Sequence, residues 1–212
     1  MLNICATQSI IMKELKNSIP DWAGYGLWEY FLVVNPDADV NEKVQSEAKY
    51  FFDEYKEEIA VKTNPHITIA NFLAKEEMEE TLIRWIQRVC NSQEAFTTVL
   101  NNFSGFPAHT IYVRVQTFLP YNKLAKELKV IEHFISSNNC PPARFISSPH
   151  MTIARRLPRT VYENAIHEYS RRLFQASFEV EQLVLIKRRH QYDKCKDVNV
   201  FHLPPKRNNL FN

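Results

Sequence analysis

A hexapeptide of the form Pro-His-x-Thr-Ile-Ala occurs twice in this chain, as Pro65-His66-Ile67-Thr68-Ile69-Ala70 and as Pro149-His150-Met151-Thr152-Ile153-Ala154. Each copy lies in a β-branched, apolar segment, the pattern of a short buried strand. Successive side chains of a strand point to opposite faces, so His and Thr, two residues apart, share one face. Ile67 and Ile69, like Met151 and Ile153, take the other. Each copy therefore predicts a strand with an apolar face toward a core and an imidazole and a hydroxyl on its polar face. A fold that brings the strands together gathers His66, Thr68, His150 and Thr152 in one place.

The rest of the chain repeats around these strands. Leu27 to Val34 reads as a first strand, stopped by Asn35-Pro36-Asp37. A helix is predicted from an Asp39 N-cap, with Glu42 completing a capping box, to about Ile59. Its apolar face is Val44, Ala48, Phe51, Phe52 and Tyr55. The first His-x-Thr strand follows at 64–73, then a helix at 75–91 and strands at 96–103 and 110–115. The order then restarts, with a helix at 120–137, the second His-x-Thr strand at 145–154 and a helix from Pro158 to about Phe174. Strands at 178–187 and 198–203 end the series. Phe96 and Phe178 lie at nearly the same offset beyond their histidines, so the halves read as an internal duplication.

This pattern predicts an α+β fold of two lobes. Two antiparallel-rich sheets, related by a pseudo-two-fold and flanked by helices, would face each other across a central cleft. The expected organisation is an N-terminal extension over 1–26, one bilobal domain over 27–204 and a tail over 205–212. Residues 10–16 read as a helical turn or two, and Gly24-Tyr25-Gly26 as a hinge.

Composition narrows the function classes. With three glycines in 212 residues, and neither G-x-G-x-x-G nor G-K-[ST], glycine-built phosphate loops are disfavoured. Cys5, Cys90, Cys140 and Cys195 are widely spaced without a C-x-x-C, which suggests reduced thiols in a cytoplasmic protein. No signal-peptide pattern or spanning-length apolar run is evident. Residues 1–106 carry 9 Lys+Arg against 16 Asp+Glu, and residues 107–212 carry 17 against 8, so −7 faces +9. Two Glu-rich helices early in the chain account for this asymmetry; so does a basic wall presented to an anionic ligand.

Two His-x-Thr strands in a duplicated α/β chain of this length resemble the 2H phosphoesterase superfamily, in its 2′-5′ RNA ligase-like, cyclic phosphodiesterase branch. The resemblance spans about residues 27–204. It implies that His66, Thr68, His150 and Thr152 are the catalytic set, that no metal or cofactor is required, and that the partner is RNA or a nucleotide with a cyclic phosphate or 2′-5′ linkage. It further implies a substrate-binding Arg155, three residues after the second threonine, where the first copy has Asn71. An aromatic from the first strand, Tyr30, is implied as a second substrate contact. The protein is expected to act as a monomer away from membranes.

The side chains suit that chemistry. Hydrolysis of a 2′,3′-cyclic phosphate needs in-line attack by water and protonation of a ribose oxygen. Two imidazoles can serve as base and acid, because an unperturbed pKa of about 6.5 populates both protonation states near neutrality. Threonine hydroxyls can donate to the non-bridging oxygens, and an arginine fork can add fixed positive charge. Which histidine is the base stays open at this stage, and ligation reverses the roles. Strict alternation turns Arg155 away from the histidine face and favours Arg156; a bulge or strand end restores Arg155. The rival readings are RNA 2′-5′ ligation or 2′-5′ oligoadenylate cleavage, a non-catalytic RNA or nucleotide binder, a structural pair of strands, and a di-histidine metal site. His109, His133, His167, His190 and His202 lack the repeated context and read as surface or structural residues. The basic loop at 187–196, with Tyr192, reads as a solvated hairpin or a nucleic-acid contact, and Phe106 and Tyr112 as core or as base-stacking aromatics.

Overall fold

The computed structural model describes residues 22–62, 64–191 and 193–206. Its strands are β1 (Leu27–Val34), β2 (Ile67–Lys75), β3 (Phe96–Phe106), β4 (Thr110–Val115), β5 (Arg144–Phe145), β6 (His150–Arg155), β7 (Gln175–Val180), β8 (Gln182–Arg188) and β9 (Lys196–His202). The helices are α1 (Ala38–Tyr55), α2 (Glu79–Asn91), α3 (Leu119–Glu127), α4 (Val130–Ser137) and α5 (Arg159–Tyr169). The expected α+β class with antiparallel pairing is what is observed. The strands run in the order β7-β3-β4-β6-β2-β1-β8-β9, with β5 added beside β2.

The two halves are not separate sheets, as the duplication had suggested. β2 and β6 join them through one antiparallel pair, Ile67 with Met151, both fully buried. An antiparallel pair has a local two-fold through its centre, which relates the two motifs to each other. The later strands do not keep the offsets of the repeat. Phe178 of β7 pairs with Thr98 of β3, so these strands are neighbours rather than equivalents. β8 crosses to the other half and pairs with β1.

Local chemistry explains where the elements begin and end. The N-cap of α1 is Asp37 rather than Asp39, since the Asp37 carboxylate accepts from the Val40 N–H at 2.8 Å. The helix closes at Lys56 in the left-handed region, φ 58°, short of Ile59. The expected helix over 120–137 is two helices, with tight i→i−3 bonds at Lys129, Ile131 and Glu132 between and into them. The second motif strand is also divided. Pro149 has no N–H for a ladder, and the chain crosses from β5 to β6 through Ser147-Ser148-Pro149. β3 continues past 103 to Phe106, so the hairpin turn falls at Pro107-Ala108-His109, with Ala108 at φ 66°. Loop 189–195 joins the paired strands β8 and β9 as a hairpin.

Trp22 and Ala23, just before β1, are buried. The helical turn expected at 10–16, Cys5, Tyr192 and the last six residues lie outside the described residues. Cys90 and Cys140 are buried free thiols and Cys195 is an exposed one. Among the described residues, no helix is long and apolar enough to cross a membrane.

Candidate active site

β4 supplies the ruler that fixes the face of each β6 side chain. It alternates regularly, so Arg114, Tyr112 and Thr110 share one face, and their partners His150, Thr152 and Arg155 share it with them. Three residues separate Thr152 from Arg155, yet only two steps of β4 do. Ile153 is the extra residue of a bulge, lying between the pairs Tyr112–Thr152 and Ile111–Ala154. The bulge settles the choice between the two arginines. Arg155 stands on the histidine face, whereas Arg156, exposed and at φ 57°, ends the strand.

β2 carries the matching bulge. Val33 pairs with Thr68 and Leu32 with Ala70, leaving Ile69 as the extra residue. Thr68 and Asn71 therefore share a face through Val33 and Phe31. Glu29 and Arg188, which pair with each other, lie farther along that face. Ile67, paired with Val34, belongs to the core, so His66 turns the other way. All four motif side chains are half-buried.

The imidazoles are held alike. His66 Nδ1–H donates to the Asn64 carbonyl at 2.8 Å, and His150 Nδ1–H donates to the Ser148 carbonyl at 2.9 Å. A carbonyl can only accept, so each neutral ring is the Nδ1–H tautomer, with its Nε2 lone pair directed elsewhere. Burial lowers the pKa of His66, its bond to Asn64 opposes the shift, and the nearby positive charges of Arg155 and His150 lower it further. Burial also lowers His150, with Ser148 opposing and Arg144 adding to the effect. Arg155 and His150 both act on the His66 ring.

Arg155 is half-buried, and its Nε is a buried donor without a hydrogen-bond partner among the described residues. Buried donors are almost always satisfied, so an orphan on the histidine face suits an anion. Burial lowers its pKa, as do Arg156 and Arg188. Arg114, Arg144, Arg155 and Arg188 all come from the positively charged half of the sequence and stand around the motif strands. Arg188 is tied to buried Glu29, whose other oxygen accepts from Asn71 at 3.1 Å. Among the described residues, no three His, Cys, Asp or Glu side chains are grouped to hold a metal ion.

Tyr30 is misplaced in the sequence reading. It is fully buried on the opposite face, stacked on Phe72 at 5.3 Å, with its hydroxyl donating to Glu79 at 3.0 Å. The aromatics that do reach the histidine face are Phe106 and Tyr112. Their rings lie 4.8 Å and 5.1 Å from the His150 ring and 4.6 Å from each other. Arg144 and Arg114 escaped notice because neither lies in the repeated motif; only strand pairing brings them there.

Comparison with known proteins agrees with this construction. The sequence profile of the 2′-5′ RNA ligase superfamily matches residues 36–191. A search of curated proteins finds no match. Among solved structures, apo E. coli LigT is similar with a TM-score of 0.60 and 19% identity, covering 84% of this chain and 98% of LigT. TT0787 of Thermus thermophilus is similar with a TM-score of 0.61 and 17% identity, covering 84% and 99%. A protein described only as a phosphoesterase gives 0.58 and 16%, covering 84% and 99%. These likenesses establish a shared fold, and the profile match establishes the family: the chain belongs to the 2′-5′ RNA ligase superfamily of 2H phosphoesterases.

Proposed function

We propose that the protein is a metal-independent phosphodiesterase that hydrolyses 2′,3′-cyclic phosphate or 2′-5′-linked RNA or nucleotides by two-histidine acid/base catalysis. The supporting observation is the matched pair of imidazoles, His66 and His150, in the same tautomer on one sheet face, with the orphan donor of Arg155 on that face. One Nε2 takes a proton from the attacking water, and the other gives one to the departing ribose oxygen. Each transfer contributes about 10²–10⁴-fold. Thr68, Thr152 and Arg155 donate to the non-bridging oxygens, whose charge must be held through the transition state. The anion itself favours the imidazolium form of both rings, offsetting the lowered pKa values of the free site. E. coli LigT has been solved with 3′-AMP and with phosphate, ligands of the kind this site suits. Ligation through a 2′-5′ bond is the reverse reaction, with the same two rings exchanging roles.

His66→Ala and His150→Ala should each lower kcat on a 2′,3′-cyclic nucleotide by at least about 10²-fold, with far-UV circular dichroism unchanged. EDTA should leave wild-type turnover intact. Retained turnover in either variant, loss with EDTA reversed by zinc, or nucleotide binding without turnover would each overturn the reading.

A further inference from the structure

The internal two-fold breaks at the residue beyond each threonine. The bulges at Ile153 and Ile69 turn Arg155 and Asn71 onto the histidine face, one in each half. Where symmetry would repeat a cation, the first half has a neutral amide. Asn71 is 8% exposed, and its amide nitrogen donates to the Glu29 carboxylate and to the Tyr30 carbonyl, each at 3.1 Å. The amide thus fixes an anion. Glu29 is 2% exposed and is the one fully buried carboxylate among the described residues.

Glu29 in turn holds Arg188. The Arg188 Nε–H donates to it at 2.7 Å, Nη2 pairs with the same oxygen, and Nη1 donates to the Gln191 carbonyl at 2.6 Å. The guanidinium also lies over the Phe31 ring, 5.0 Å from its centre. Arg188 is therefore locked on the wall of the site, with its charge matched by Glu29. Arg155 has no such match. Its Nε donor is an orphan, and its electrostatic neighbours are Arg156, Arg188, Cys195 and Glu29.

The covered charged groups of this face are Arg155, Arg188 and Glu29, two cations and one anion, which leaves one positive charge unmatched. Arg114, Arg144, Arg156 and Asp197 are exposed, so water and salt screen them. Cys195 is a neutral thiol, since desolvation raises its pKa. His66 and His150 are neutral at pH 7.5, because burial lowers their pKa values. A phosphodiester carries one negative charge and matches the unmatched cation. A phosphomonoester has a second pKa of about 6 and carries nearly two negative charges at pH 7.5. Balancing that second charge would need a proton on a partly buried ring, which burial disfavours.

We propose that Glu29, fixed by Asn71 and Arg188, sets the specificity of the site by charge: it holds the covered charge at +1, so that the site takes a monoanionic phosphodiester and releases the dianionic monoester formed from it. The inference rests on the phosphodiesterase reading above. Hydrolysis adds water across one P–O bond, and above about pH 6 the new phosphate hydroxyl loses its proton to solvent. The product then carries one more negative charge than the substrate. Glu29 touches no reacting atom; it is a positioning residue that acts through Arg188 and on the field around Arg155.

2′-Deoxyadenosine 3′-monophosphate and its methyl ester are the probes. They differ by one methyl group, and neither has the 2′-hydroxyl needed to form a cyclic phosphate. At pH 7.5 they differ in charge, and at pH 5.0 both are chiefly monoanions. In isothermal calorimetry the wild type should bind the methyl ester at least about tenfold more tightly at pH 7.5, and the two about equally at pH 5.0. Glu29→Gln leaves both arginines unmatched and should abolish or invert the preference at pH 7.5. Glu29→Gln/Arg188→Gln removes one charge of each sign and should restore it. A purely structural role for Glu29 would instead weaken both ligands alike at both pH values. Equal binding of the two probes by the wild type at pH 7.5, or an undiminished preference in Glu29→Gln, overturns the inference. Should Glu29→Gln not fold, the wild type and the double variant decide. Turnover of adenosine 2′,3′-cyclic phosphate is followed on the same protein. Turnover without the charge preference overturns this inference alone, and the preference without turnover overturns the phosphodiesterase reading instead.

Discussion

Each motif histidine donates its Nδ1–H to the carbonyl two residues before it, so the proton it can exchange with a ligand sits on Nε2. That bond favours the imidazolium, and burial disfavours it more, leaving both pKa values below the ordinary 6.5. The consequence for stability has a definite sign. Below about pH 6.5 the unfolded chain protonates these rings before the folded chain does, so stability falls as the pH drops from there toward the folded pKa values. Chemical denaturation at pH 7.5 and pH 5.0 should show this loss, and His66→Ala/His150→Ala should lose less over the same interval. An equal loss in the variant would assign the effect to other groups. The histidine and threonine positions were legible because they are repeated. Arg155 was legible only as a choice of two, since its face depends on one extra residue, Ile153, that alternation alone does not reveal. Tyr30 was misjudged because an aromatic in a strand carries no mark of which face it takes. Its partner Phe72 and its bond to Glu79 set it in the core.

At the level of elements, the bulges at Ile69 and Ile153 occupy equivalent places in β2 and β6. Each turns a residue beyond its threonine back onto the histidine face, Asn71 in one half and Arg155 in the other. The duplication therefore extends to backbone irregularity, although the residues delivered differ. Between the bulged strands, Ile67 packs fully buried on the core side of the pair that joins them. Ile67→Ala should cost about 2–5 kcal/mol of stability in urea titration and should lower kcat as well, because it loosens the spacing of His66 and His150. A cost below about 1 kcal/mol would place the junction's stability elsewhere. Strand and helix positions were largely legible from periodicity. The breaks at Leu128–Lys129 and Ser147–Pro149 were not, because they answer to tertiary pairing rather than to local pattern.

Across the whole molecule, strand crossing accounts for the site. The chain repeats in order, but β4 and then β3 extend from β6 while β8 and β9 extend from β1, so each half of the sheet draws on both halves of the sequence. The crossing carries Arg188 from the basic half to the edge of the β2 side, while Arg114 and Arg155 stand beside β6. The charge asymmetry visible in the sequence thus becomes an arginine-rich surround for two neutral imidazoles. An anion at that point should raise the pKa of both rings. Long-range ¹H–¹⁵N NMR of the histidine rings, titrated with adenosine 3′-monophosphate, tests this directly. His66 and His150 should both begin as Nδ1–H tautomers and shift toward imidazolium with one shared midpoint. A response confined to one ring, or an Nε2–H tautomer at either, would contradict the placement of both histidines about a single phosphate.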